Sequence, residues 1–326
     1  MNSLINILAS HILLNLFIFY FFDSLKKKIN IYDYPDKKKK LHKKAIPLMG
    51  GVIFLFNLIL FLVLNNLSLT TIELSILLCS ASFLLIGIFD DKFDLSPYFK
   101  FFSLAVILLI FFIFNEKMII TSFDIYNYNI RFSKNIGIFF SILCILLFVN
   151  ALNLFDGINL QSSLYGLFCL TFLIFRGLFF EIILIIIIPL FLIIYLNNKN
   201  KTFMGDSGTL FLGSIISLIV IANYTKTNFL TTDEIFLLMF LPGMDMLRLF
   251  IERILHGKNP LIGDREHLHH YFVRLYNYRF SILSIFVISI LPLLINFFIR
   301  SEFVIIFFTI FYFVLLVFLK KKLTKE

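Results

Sequence analysis

Five short polar segments interrupt an otherwise apolar chain, and each carries residue types that could do chemistry. Asp90-Asp91-Lys92-Phe93-Asp94 ends one apolar run. Asp90 and Asp94 are four apart and would share a helix face, with Asp91 beside them. Adjacent carboxylates at a bilayer surface repel unless a cation or a shared proton relieves them. A divalent metal, or a base whose pKa is raised by its neighbour, would account for the arrangement. A solvated loop with Lys92 as partner is the plainer reading. Asn150-Ala151-Leu152-Asn153-Leu154-Phe155-Asp156-Gly157 ends another run, with two amides and a carboxylate at spacings of three. Such a row suits a sugar, a uracil edge or an oxygen-ligated Mg²⁺. The alternative is a polar helix end capped by Gly157.

Met204-Gly205-Asp206-Ser207-Gly208 opens a later run. Free N–H groups at a helix start attract phosphate, but Asp206 would oppose a bare phosphate, so a bridging Mg²⁺ fits better. A simple Asp/Ser N-cap is the competing reading. In Asp264-Arg265-Glu266-His267-Leu268-His269-His270, His267 and His270 can share a face near Arg265. Zinc on a helix favours histidines four apart or added Cys and Glu ligands. A diphosphate-binding cluster therefore suits this segment better than a zinc site, with a structural His cluster as the alternative. The stretch 33–51 carries Pro35, Pro47 and Gly50-Gly51, which suggest a shaped loop, and His42 within it is a candidate substrate contact. Asp245 and Arg248 follow Pro242-Gly243; at membrane depth such residues line a cavity or pair with each other. The Pro-Gly step predicts a broken helix there.

These residues need a scaffold, and composition names it. Of 326 residues, 60% are hydrophobic and 15% charged, with mean hydropathy +0.95. Soluble chains are about half apolar and a quarter charged. A soluble globular enzyme is therefore excluded, as is a disordered or collagen-like chain. Apolar runs fall near 4–22, 47–66, 71–89, 98–114, 135–150, 158–175, 178–196, 208–222, 234–255, 279–299 and 303–319. They do not alternate as barrel strands would. The expectation is one all-α polytopic bundle over 1–326 with about eleven spans, the first retained because it lacks a basic leader and a cleavage site. With eleven spans, 23 of the 29 basic residues fall on one side and six on the other. The positive-inside rule makes the richer side cytoplasmic, with the N-terminus outside and the C-terminus inside. The net charge of +9 then concerns orientation and anionic lipid, not nucleic acid. Cys79, Cys144 and Cys169 lie in apolar runs and read as small core residues. The segment 115–134 yields no reading.

In order and spacing, the segments resemble the polyprenyl-phosphate N-acetylhexosamine-1-phosphate transferases (glycosyltransferase family 4) over 33–270. The Asp-Arg-x-His-Leu-His-His form resembles the branch acting on UDP-N-acetylhexosamines, the undecaprenyl-phosphate GlcNAc-1-phosphate transferases. The muramoyl-pentapeptide transferases are the nearby alternative, and a multi-span transporter of an anionic substrate is the alternative from another class. Against the transporter, the polar residues collect at one face without an inverted repeat. The resemblance implies transfer of HexNAc-1-phosphate from a UDP-HexNAc to undecaprenyl phosphate, releasing UMP. It implies Mg²⁺, with Mn²⁺ as substitute, in the bacterial inner membrane with a cytoplasmic site. The product would start an envelope glycan: O-antigen, common antigen, capsule or teichoic-acid linkage.

On this resemblance Asp206 matches the metal ligand and Asn153 a second contact to metal or diphosphate. Asp90 matches a residue accepting the proton of the lipid phosphate, with Asp91 beside it. Asp156 lies near the nucleotide or metal. His267, His269, His270 and Arg265 match the cluster at the donor's diphosphate and sugar, and Asp90, Asp91, Asp156 and His267 are counted as catalytic. Lys100 and Asn150 join them as substrate contacts. The expected partners are the lipid phosphate, the UDP sugar and anionic lipid, with a homodimer as the candidate assembly and no nucleic acid. Two departures stand out: Asn159-Leu160 where the family has a second Asp-Gly, and Phe101-Phe102-Ser103 where a Gln is usual. A donor other than UDP-GlcNAc, such as a deoxy-HexNAc, would follow.

Overall fold

The computed structural model describes residues 2–35, 44–65, 69–125, 128–177, 179–227, 229–259 and 265–324. Hydrocarbon offers no hydrogen bonds to a peptide group, so an apolar run has to satisfy its own backbone, and helices do so. Each of the eleven runs is helical over most of its described residues. In chain order the helices are α1 (Asn2–Tyr20), α2 (Phe22–Ile29), α3 (Gly50–Asn65), α4 (Thr71–Phe93), α5 (Pro97–Phe114), α6 (Lys134–Phe155) and α7 (Gln161–Ile174). There follow α8 (Phe180–Asn198), α9 (Gly205–Thr227), α10 (Thr232–Leu238), α11 (Phe240–Leu255), α12 (Leu268–Leu275), α13 (Tyr278–Ile295) and α14 (Ser301–Leu323). Among the described residues, seven of these are long and apolar enough to cross a membrane: α4, α5, α6, α8, α9, α13 and α14. The pair α1–α2 is bent by 77°, and would make an eighth if taken as one span. The apolar helices α3 and α7 are shorter.

The expected break near Pro242 is present but falls earlier, at Met239 between α10 and α11. Proline lacks an N–H and its ring crowds the carbonyl four residues before it, here Leu238. The helix therefore stops at Leu238 and restarts so that Pro242 sits in a first turn, where no N–H is needed. The Leu238 carbonyl accepts the Tyr165 hydroxyl of α7 instead.

Helix α9 is the axis of the bundle: residues 207–223 are all buried. Helices α3, α4, α6 and α7 pack around it, while Phe102, Phe114 and Phe298 are among many large apolar side chains left facing outward. The closest approach is between α4 and α9. A Cβ on Gly87 would stand 2.6 Å from the Ser207 nitrogen, so only glycine lets the two backbones meet there.

Two small antiparallel pairs complete the fold. Tyr32–Asp33 (β1) pairs with Ile46–Pro47 (β2), and the adjoining Leu48 bridges to Phe203. The two described ends of the 33–51 stretch are thus held together, while residues 36–43, His42 among them, lie outside the described residues. Ser122–Ile125 (β3) pairs with Tyr128–Arg131 (β4), within the segment that yielded no sequence reading. There Phe123, Phe132 and Phe140 pack ring against ring. All three cysteines are free.

Candidate active site

The ends of α4 and α6 and the start of α9 meet around a cavity of about 1030 Å³. Asp90, Asp91, Asp94, Asn153, Asp156 and Asp206 line it. Local sequence explains how each arrives. Helix α4 ends because Asp94 takes the left-handed conformation (φ 52°) and its N–H returns to the Asp90 carbonyl. Asp94 therefore leaves the helix and does not share a face with Asp90, contrary to the spacing argument. Ser96 then caps α5 with Pro97 in its first turn, and this sharp reversal brings Lys100 back over the end of α4.

Lys100 bonds two carboxylates: Asp90 Oδ2 at 2.7 Å and Asp206 Oδ2 at 2.6 Å. Asp90 Oδ1 also accepts the Leu95 N–H at 2.8 Å. The repulsion anticipated among these acids is relieved by the ammonium group of a neighbouring helix, not by Lys92. Asp91 serves differently. Its Oδ1 accepts the Asp206 N–H at 2.7 Å, and its Oδ2 accepts the Ser207 N–H at 3.1 Å and the Ser207 hydroxyl at 2.5 Å. The start of α9 is thus not a free phosphate cradle: a carboxylate from α4 caps it, satisfying donors a helix start leaves unpaired. Gly205 (φ +72°) makes the turn, and a Cβ there would meet the Asp91 carboxylate at 2.7 Å.

Asn153 donates to Thr209 Oγ1 at 2.9 Å, tying α6 to α9. Asn150 donates to the Leu146 carbonyl of its own helix at 2.8 Å and is not among the cavity-lining residues. Asp156 ends α6 and accepts the Ser162 hydroxyl; burial pushes its carboxyl up to about 7. An unfolded Asp titrates near 3.9, so through the window from there to about 7 the folded form binds more protons. This residue's contribution to stability therefore falls as pH rises through that window, then levels off. The Asp156→Asn variant is expected to gain on the wild type between pH 4 and pH 7, read as thermal midpoints across the range. A pH-independent difference would refute the shift.

The histidines form a second layer. His267 precedes α12 rather than sharing its face, and its Nδ1 lies 2.8 Å from Asp245 Oδ2. Its ring stacks on His269 at 5.3 Å, and His269 lies 4.2 Å from His270. A side chain on Gly157 would collide with the His269 imidazole, so the cluster backs onto the cavity through Gly157. Burial holds His269 well below the usual imidazole range, and burial with the neighbouring charge of His267 lowers His270 to about 4. Both are neutral near pH 7. Neither ring nitrogen of His269 has a hydrogen-bond partner among the described residues. The carbonyl of Arg265 accepts Arg274 Nη2 at 2.9 Å.

Among the cavity residues, Asn197, Asn200 and Tyr278 had no reading from sequence, and Asn159 was marked only as a departure from the family pattern. Asn159 donates to Asn200 Oδ1 at 2.5 Å, and its N–H bonds the Tyr278 hydroxyl at 2.7 Å. Asn197 Oδ1 accepts the Leu160 N–H at 2.6 Å, holding Leu160 at φ 71°. The Asn197-Asn198-Lys199-Asn200 run just before Asp206 was a usable signal; Tyr278 carried none.

Mg²⁺ takes oxygen ligands, commonly one or two carboxylates completed by water and substrate phosphates. Among the described residues no three His, Cys, Asp or Glu side chains form a closed metal cage. Asp206, Asp90 and Asn153 nonetheless present hard oxygen donors on an open cavity, so the donor set suits a Mg²⁺ shared with a bound diphosphate.

The fold is that of a multi-pass membrane protein. The glycosyl transferase family 4 model matches residues 73–224, just under half of the chain. Undecaprenyl-phosphate alpha-N-acetylglucosaminyl 1-phosphate transferase of Escherichia coli (strain K12) is 25% identical over 287 residues, covering 80% of this chain and 76% of its own. The Salmonella typhi protein of the same name is 26% identical over 267 residues, covering 76% and 70%. The Bacillus subtilis (strain 168) protein named "Probable undecaprenyl-phosphate N-acetylglucosaminyl 1-phosphate transferase" is 27% identical over 273 residues, covering 80% and 75%.

Proposed function

We propose that the protein transfers HexNAc-1-phosphate from a UDP-HexNAc to undecaprenyl phosphate, giving undecaprenyl-diphosphate-HexNAc and UMP and initiating an envelope glycan. The observation that carries this reading is the Asp90–Lys100–Asp206 contact, whose two carboxylates line a cavity of about 1030 Å³. Phosphoryl transfer asks little covalent chemistry of a protein; it asks for alignment and charge stabilisation. Asp206 and Asn153 would hold Mg²⁺, which neutralises the donor's diphosphate when bound. Lys100 holds the two carboxylates close together and oriented. Asp90 orients the acceptor phosphate or takes its remaining proton, a light task because the second pKa of a phosphate monoester is near 6. Asp91 acts through Asp206, by fixing the turn that carries it. Asp156 sits toward the nucleotide, and His267, His269, His270 and Arg265 toward the diphosphate and sugar. Asn159, an amide paired with Asn200 where the family has a carboxylate, favours a donor other than UDP-GlcNAc.

The same reading has eleven crossings, an outside N-terminus and a cytoplasmic site and C-terminus in the plasma membrane. The 23-to-6 split of basic residues supports it. Helix α2, turned 77° from α1, would lie along the inner surface with Lys27 and Lys28 exposed to anionic headgroups. The test is membranes supplied with undecaprenyl phosphate, Mg²⁺ and a panel of UDP-sugars. UMP release with a lipid-diphosphate product is expected; UDP release would make the enzyme a glycosyl transferase of another kind. A reporter fused after residue 326 should be cytoplasmic, and a periplasmic signal would overturn the sidedness.

A further inference from the structure

We propose that Asp245, backed by Arg248 and Tyr312, is a positioning residue that sets the tautomer and direction of the His267 imidazole for the donor's diphosphate. The inference rests on the transferase reading above. Asp245 and Arg248 lie on α11 and Tyr312 on α14, all beyond the stretch matched by the family model. All three are buried, at 3%, 6% and 1% exposure.

The Asp245 carboxylate is fully engaged. Oδ2 accepts His267 Nδ1–H at 2.8 Å and the Leu268 N–H at 3.2 Å. Oδ1 accepts Arg248 Nη2 at 2.8 Å and the Tyr312 hydroxyl at 2.8 Å. Arg248 reaches on to the Tyr312 oxygen at 2.9 Å, the Glu266 carbonyl at 2.6 Å and Glu252 at 2.9 Å. One carboxylate thus joins α11 and α14 to the segment that carries the histidines. A buried ion pair is a poor way to add stability, because desolvation offsets the attraction. It is a good way to fix a direction. An imidazole bonded to carboxylate through Nδ1 keeps its proton there, which leaves Nε2 as the nitrogen that meets a ligand. Neutral His267 then accepts at Nε2, and its protonated form donates there to a phosphate oxygen with Asp245 balancing the charge. The parallel stack on His269, 8° between planes, holds the ring against rotation.

The test is steady-state kinetics of the protein, with the UDP-HexNAc turned over best in the panel above and undecaprenyl phosphate varied separately. Asp245→Asn should raise KM for that UDP-HexNAc by about tenfold or more, as loss of a carboxylate behind a working histidine does elsewhere, while KM for undecaprenyl phosphate stays unchanged. Tyr312→Phe, which removes one bond and keeps the ring, should shift donor KM the same way by less. His267→Gln should match Asp245→Asn, and the double variant should be no worse than the single ones. A fall in kcat with both KM values unchanged would mean a purely structural role and overturn the inference. If Asp245→Asn fails to fold, Tyr312→Phe decides by the same criterion. A wild type that turns over no UDP-sugar at all sinks the transferase reading and this inference with it; a working wild type whose donor KM ignores both substitutions sinks the inference alone.

Discussion

Asp206→Asn should leave a folded protein that releases UMP about 10³-fold more slowly than the wild type, or not at all. The two halves of that expectation have different causes. Asparagine keeps the shape of the side chain and the backbone N–H that bonds Asp91 at 2.7 Å, so the start of α9 stays in place. The lost ion pair is about one-third exposed on the Asp206 side, with Lys100 still held by Asp90. Because Lys100 keeps Asp90 as a partner, no buried charge is left unpaired, and the thermal midpoint should move by a few degrees at most. Catalysis has no such reserve, because an amide cannot supply the charge that a shared Mg²⁺ and a diphosphate require. Wild-type-like rates in Asp206→Asn would refute the metal role. Asp91→Asn makes the informative comparison. It removes charge from a cap and not from the reaction, so it should lose about 1 kcal/mol of stability together with part of its activity. If Asp91→Asn were instead as stable as wild type and fully inactive, Asp91 would belong to the chemistry.

That contrast marks the limit of what residue spacing conveys. Polar residues at the end of an apolar helix have few uses, so Asp90, Asn153, Asp156 and Asp206 stand out by position in the chain, and all four line one cavity. The helices were legible for the same reason, since lipid leaves an apolar run no other backbone. Spacing, however, reports only neighbours on the same element. It could not disclose that Asp91 caps α9 from α4, or that Lys100 closes on carboxylates from two other helices. The helix break illustrates the point from the other side. Pro242 announced it, but its position depended on a carbonyl at Leu238 and on a Tyr165 hydroxyl from another helix to receive it. Asn150 and Asn153 share a face of α6, yet spacing could not disclose that the Asn150 amide bonds its own helix while Asn153 reaches Thr209 of α9.

A single methyl group placed between α4 and α9 should do more damage than most charge removals. In Gly87→Ala the new Cβ would stand 2.6 Å from the Ser207 nitrogen and 2.9 Å from the Asp206 carbonyl carbon. Both are backbone atoms of a buried helix, so neither can swing aside as a side-chain tip would. The helices have to separate by roughly an ångström, and overpacking of this kind costs about 1–3 kcal/mol. The separation also pulls Asp91 off the start of α9, adding about 1 kcal/mol for the lost cap. Activity should fall by about 10²-fold, the usual result of moving a reacting group by an ångström. Gly243→Ala supplies the control. It lies in α11 with nothing within 4 Å of the added Cβ, and alanine in a helix is worth up to about 1 kcal/mol over glycine. That variant should be as stable as wild type or slightly more so, with unchanged rates. The chain has no Trp, but Cys79 and Cys169 are buried and free, so a thiol-reactive dye can follow unfolding of both variants in detergent. Equal midpoints for Gly87→Ala and Gly243→Ala would mean that α4 and α9 are not in backbone contact, and the capping of Asp206 by Asp91 would fall with that contact.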